Sequence, residues 1–178
     1  MVQDSDIISR KITLRSRSIV FNNSIYDLTI REDGCEYSMF SINSQEKKPF
    51  YFSAPELKDK PRSLIIKSPN TRDSLPIMSN GLGAIYFRLE ILDAPGNFIY
   101  FKMNIQEVKS YIYYEIKTVE RKELPYQVVV KSPNLEAYIP QFNRVVSKSS
   151  EPLLFINEVP HQKFNMRMQV RAIGTQRF

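Results

Sequence analysis

Strict alternation of apolar and polar positions is the dominant pattern along the chain. Ile85, Phe87, Leu89 and Ile91 alternate with Tyr86, Arg88 and Glu90, and Ile99, Phe101, Met103 and Ile105 alternate with Tyr100, Lys102 and Asn104. A period of two places one set of side chains on each face of a strand, so both runs predict half-buried strands. Between them Asp93-Ala94-Pro95-Gly96-Asn97 has the composition of a turn. Residues 109–116 are rich in aromatic and β-branched side chains, as strands prefer, and 126–130 reads as a shorter strand. Upstream the plan recurs. Tyr26, Leu28 and Ile30 face inward, Glu32-Asp33-Gly34 turns, and Ser38, Phe40 and Ile42 return. Residues 50–53 and 64–67 complete that set.

The ends add strands, predicted within 7–21 and 152–174. Ile12 and Leu14 alternate with Lys11, Thr13 and Arg15, and Phe164, Met166, Met168, Val170 and Ala172 alternate with Asn165, Arg167, Gln169 and Arg171. No stretch holds a helical period over ten residues. Eleven prolines and five glycines suit turns and strand edges better than helix interiors. The expectation is one all-β domain over residues 1–178. It has ten or eleven antiparallel strands in a β-sandwich or a partly closed barrel. Residues 141–151 are expected to form a mobile loop.

Self-comparison shows an internal duplication. Residues 56–76 and 120–140, at an offset of 64, are identical at 8 of 21 positions, where average composition yields roughly one or two. The shared core is Lys67-Ser68-Pro69-Asn70 against Lys131-Ser132-Pro133-Asn134. At an offset of 61, residues 28–48 match 89–109 at Leu28/Leu89, Ile30/Ile91, Asn43/Asn104, Gln45/Gln106, Glu46/Glu107 and Lys48/Lys109. Two units of about 60 residues follow, near 22–78 and 79–140.

The chain has 25 basic and 19 acidic residues, one His, one Cys and no Trp, for a formal net charge of +6. The excess lies at the ends. Residues 1–21 hold Arg10, Lys11, Arg15 and Arg17 against Asp4 and Asp6, and residues 141–178 hold six basic residues against Glu151 and Glu158, while the middle is neutral. Lys11, Arg15 and Arg17 share one face of a strand, as do Arg167 and Arg171, with Lys163 just upstream. If the terminal strands are neighbours, these residues merge into a polyanion-binding face for RNA, a ribonucleoprotein or an anionic membrane surface. Small basic viral matrix-type proteins share this profile of size and charge, although no motif carries the analogy.

The repeated Lys-Ser-Pro-Asn has two readings. Pro presets the second position of a turn and Asn tolerates the third, so both copies are expected to close equivalent strands. As an interaction site, Lys67, Ser68 and Asn70 with Lys131, Ser132 and Asn134 would form a pseudo-symmetric pair of loops for a protein partner. Ser-Pro also makes Ser68 and Ser132 candidates for phosphorylation.

Little catalytic chemistry is available. His161 has no clustered ligand partner, and Cys35 would need it, far away in sequence, as a base. Residues Ser44 to Lys47 fit a Ser-x-x-Lys spacing without its companion motifs. Asn22-Asn23-Ser24 is a glycosylation triplet, and no signal-peptide pattern gives it meaning. No phosphate loop, dinucleotide fingerprint or calcium loop occurs. A catalyst, a cofactor and a metal are therefore not expected. No apolar run approaches a membrane span, and a lone Cys fits a reducing cytoplasmic or nuclear setting. The first functional reading is a structural or assembly protein with a polyanion-binding basic face. The alternative is a β-sandwich protein–protein interaction module using an exposed strand edge or the paired turns. Self-association through the pseudo-symmetric face is compatible with either.

Overall fold

The computed structural model describes residues 16–52, 62–157 and 165–174. Fourteen strands occur there: β1 (Ser18–Asn22), β2 (Leu28–Glu32), β3 (Phe40–Ile42), β4 (Lys47–Phe50), β5 (Ser63–Lys67), β6 (Ile77–Met78), β7 (Gly83–Glu90), β8 (Phe98–Val108), β9 (Tyr111–Thr118), β10 (Tyr126–Val128), β11 (Leu135–Ile139), β12 (Arg144–Ser147), β13 (Leu153–Phe155) and β14 (Gln169–Ala172). The helical content among the described residues is two 3₁₀ turns, Arg121–Glu123 and Pro140–Phe142.

The alternation places the core where the sequence put it. Leu28 and Ile30 of β2, Phe87 and Leu89 of β7, and Phe101, Met103 and Ile105 of β8 are buried, with the intervening polar residues outside. A five-stranded sheet, ordered β4-β1-β9-β8-β7, packs against a four-stranded sheet, β3-β2-β5-β6. Their inner faces share one core. Val20, Phe50, Phe101, Met103 and Ile116 from the first sheet meet Ile30, Ile42, Leu64 and Ile66 from the second. The aromatic members interlock, with Phe87 stacked on Phe101 at 5.2 Å and Tyr26 edge-on to Phe101 at 6.1 Å. This is a β-sandwich, and the sheets are not closed into a barrel.

A smaller unit follows. The two-stranded β10-β13 sheet and the three-stranded β12-β11-β14 sheet enclose Ile139, Val146 and Leu153, flanked by Val128, Phe142 and Met166.

Several expectations change. β1 runs parallel to β9, so the sheets are not purely antiparallel. Parallel neighbours need a long crossover, and here the chain from β2 to β8 supplies it. Residues 144–147 of the expected loop form β12, which pairs with β11, and Val146 is buried. Asn143, at φ 46°, makes the tight return that this hairpin requires. The expected N-terminal strand is observed only from Ser18; residues 7–15 lie outside the described residues. Of the two strands expected within 152–174, around a turn at 160–162, β13 and the shorter β14 are observed, and 158–164 lie outside the described residues. At the offset of 61, β2 and β3 correspond to β7 and β8, and both pairs are antiparallel; β2 also pairs with β5, whereas β10, at the position matching β5, pairs with β13.

One polar residue joins the two sheets. Asn22, fully buried at the end of β1, donates from Nδ2 to the carbonyls of Tyr26 (2.7 Å) and Asn43 (2.9 Å). Its Oδ1 accepts from the Ser24 hydroxyl (2.6 Å) and the Ser24 amide (3.2 Å). The Asn-x-Ser triplet is thus a turn that leads the chain from one sheet to the other.

Candidate functional site

Three of the six residues expected to form the basic face, Arg17, Arg167 and Arg171, are among the described residues. Lys11, Arg15 and Lys163 lie outside the described residues. Arg17 precedes β1 in the five-stranded sheet, whereas Arg171 lies on β14 in the three-stranded sheet, so the two strands are not neighbours. Arg17 donates to Glu107 (2.8 Å), and Arg171 is ion-paired with Glu136. Arg167 is exposed just before β14. A carboxylate beside each of the two paired arginines offsets much of the local positive potential.

The two Lys-Ser-Pro-Asn segments are turns. In each, the Asn carbonyl accepts a backbone N–H from a strand end: Leu92 to Asn70 and Ile173 to Asn134, both at 2.9 Å. In each, the next residue pairs antiparallel, Thr71 with Ile91 and Leu135 with Ala172. The serines differ. Ser68 is 2% exposed, and its hydroxyl donates to the Asp27 carbonyl at 2.9 Å. Its amide donates to Thr71 Oγ1 (3.0 Å). Ser132 is half-buried, and its Oγ accepts the Asn134 amide at 3.3 Å. Lys67 and Lys131 are exposed. Burial keeps Ser68 from a modifying enzyme, so the two copies do not offer equivalent surfaces.

The edges of the five-stranded sheet are built differently. The β4 edge carries Pro49, which has no donor, with Lys47 and Lys48 beside it. Lys48 is paired to Glu46 at 2.8 Å, and this contact together with the Asn43 amide lowers the Glu46 pKa. Proline and lysine are the usual devices that stop an edge from recruiting another strand. At the opposite edge, β7 reads GAIYFRLE, with neither device. Its far end is capped: the outward-facing Glu90 carbonyl accepts from the Arg72 amide (2.8 Å), while the Ile91 amide points inward and donates to the Asn97 carbonyl (3.0 Å). The period of two then turns the N–H and C=O of Ala84 and Tyr86 outward. No described strand pairs with that side of residues 83–87. A groove of about 170 Å³ runs alongside, with Leu75, Ile77, Ile85 and Phe87 as its apolar lining and Arg72 and Asp73 at its polar end. Exposed Leu82 precedes the strand.

Beyond the far end of β7 lies a larger cleft, of about 1340 Å³, between β8 and the smaller unit. Arg88, its guanidinium 3.9 Å from the Phe98 ring centroid, borders both cavities. Sequence reasoning found neither. The edge had a readable signal, since a proline inside one strand pattern and none in another separates blunted from open edges.

Cys35 is half-buried in the turn after β2, and His161 lies outside the described residues. Among the described residues no three His, Cys, Asp or Glu side chains group as metal ligands, and no helix is long and apolar enough to cross a membrane.

A family model described as "Vacuolar-sorting associated protein 13, adaptor binding domain" matches residues 5–168, nearly the whole chain. No curated protein matches the sequence.

Proposed function

This chain belongs to the vacuolar-sorting associated protein 13 adaptor-binding domain family, and from that premise we propose that it is a non-catalytic protein–protein interaction module. The open edge of β7 is its docking strand. An extended segment of an adaptor protein adds to the sheet there, hydrogen-bonding the outward N–H and C=O groups of Ala84 and Tyr86. It sets alternate side chains into the groove beside Ile85 and Phe87. The observation that carries this reading is the contrast between the proline-blunted β4 edge and the unprotected β7 edge. A partner of an adaptor-binding family is protein, so the family supports this reading over RNA, an anionic membrane or a viral-matrix role. The separation of Arg17 from Arg171 points the same way.

The paired turns are better read as supports than as a contact surface. The first anchors the capped end of β7 through Asn70, Thr71 and Arg72.

Proline at position 84 or 86 removes an outward N–H without touching the β7–β8 ladder, which uses the odd-numbered residues. Peptides selected against the wild type from a random display library should lose at least tenfold in affinity for Ala84→Pro or Tyr86→Pro. Retained affinity in both variants would remove the edge from consideration.

A further inference from the structure

The large cleft lies outside the strand-pairing site and has its own chemistry. Two aromatic pairs line it, one from β8 and one from the smaller unit. Phe98 and Tyr100 of β8 lie 6.5 Å apart, and Phe142 and Phe155 of the smaller unit lie 5.4 Å apart. Phe98, Tyr100 and Phe142 are only half-buried, so their rings have free area to offer. Arg121 and Arg144 stand exposed on the lining, and among the described residues neither has an ion-pair partner. No described residue of the lining is a carboxylate, while the Asn97, Gln141 and Asn143 carboxamides provide both donors and acceptors.

Those three features select one kind of occupant. The volume exceeds the roughly 300–1,000 Å³ of small-molecule sites, which leaves room for a peptide segment. Aromatic rings on a cleft lining hold an inserted ring by stacking and edge contacts. Two unpaired guanidiniums favour carboxylates, with which they form forked hydrogen bonds. Carboxamides match the main-chain amides of a peptide. A bare phosphate would leave the aromatic rings unused, and the three arginines of the lining, Arg88, Arg121 and Arg144, are few for a nucleic acid backbone.

We propose that this cleft binds an acidic peptide segment carrying an aromatic anchor. The anchor ring inserts between the Phe98–Tyr100 and Phe142–Phe155 pairs, and flanking carboxylates meet Arg121 and Arg144. The cleft shares Arg88 and Phe98 with the groove beside β7, but its lining includes neither Ala84 nor Tyr86, and it stands whether or not that edge pairs with an adaptor.

The probe is a fluorescent synthetic peptide with two glutamates on each side of one phenylalanine, read by anisotropy at about 50 mM salt, where screening is weak. Three counterparts replace the glutamates by glutamine, the glutamates by lysine, or the phenylalanine by alanine. The acidic peptide should bind about tenfold more tightly than the glutamine peptide, as expected for two solvent-exposed ion pairs. Loss of the ring should cost about another tenfold. The exposed double variant Arg121→Glu/Arg144→Glu should reverse the preference and favour the lysine peptide. Ala84→Pro should leave all these affinities unchanged, which keeps this test apart from that of the strand edge. Equal binding of acidic and glutamine peptides, no binding of any, an unchanged preference in the double variant, or displacement by inorganic phosphate with no dependence on the ring would each overturn the proposal.

Discussion

Replacing Asn22 by alanine should destabilise the sandwich more than any surface change. Its carboxamide makes four hydrogen bonds of 3.2 Å or less inside the fold: to the carbonyls of Tyr26 and Asn43, and from the Ser24 amide and hydroxyl. At about 0.5–1.5 kcal/mol for each bond, the loss is roughly 4 kcal/mol. For a chain of this size that lowers Tm by about 8–16 °C. Asn22→Asp is the sharper variant. It keeps the acceptor oxygen but turns a second oxygen toward two carbonyls, so it should be at least as destabilising as alanine. Asn23→Ala is the control. Its side chain makes one partly exposed contact, to Glu115 at 2.9 Å, and should cost less than about 1 kcal/mol. Urea unfolding followed by far-ultraviolet circular dichroism gives the three values, provided the slopes match. An alanine variant within about 1 kcal/mol of the wild type would refute the reasoning. So would an aspartate variant more stable than alanine.

Three further outcomes follow from other contacts. Ser68→Ala should cost about 1–2 kcal/mol in the same assay, because the buried Ser68 hydroxyl's bond to the Asp27 carbonyl is lost, whereas Ser132→Ala should stay within about 0.5 kcal/mol. Arg171→Ala should cost about 1–3 kcal/mol by stranding the half-buried Glu136 charge, against less than about 1 kcal/mol for Arg17→Ala, whose pair with Glu107 is exposed; a reversed order would contradict the burial argument. Burial raises the Tyr114 phenol pKa above its ordinary value, with its hydroxyl donating to the Ser79 carbonyl at 3.2 Å. The fold therefore holds that proton when the unfolded chain has begun to lose it, and stability should fall as pH rises above about 10 toward the folded value. Tyr114→Phe should flatten that alkaline decline.

Side-chain facing was legible because it is local. The inward sets of β2, β7 and β8 follow from the period of two alone, since each strand keeps one face in the core. Pairing was not legible because it is nonlocal. Nothing near Ser18 signals a parallel partner at Ile112, and nothing near Arg17 signals Glu107. The merged basic face depended on strand neighbours that sequence could not supply. Turns without glycine also escaped. Lys109 and Ser110, at φ 49° and 70°, form the hairpin turn between β8 and β9, yet they read as part of a strand because neither is a usual left-handed residue. Asn22 was obscured by the glycosylation pattern it completes. The cleft walls come from segments more than 40 residues apart, and only the fold brings Phe98 and Phe142 to one cavity.

Amide hydrogen exchange along β7 tests the central claim most directly. In the free protein Ala84 and Tyr86 should exchange rapidly and Ile85 and Phe87 slowly, since the register together with the Ile91–Asn97 bond directs only the latter two N–H groups toward β8. With a display-selected peptide at saturation, Ala84 and Tyr86 should become protected while the β4 edge stays unchanged. Rapid exchange persisting at both amides under saturation would show that the segment does not add to this strand, and would contradict the account.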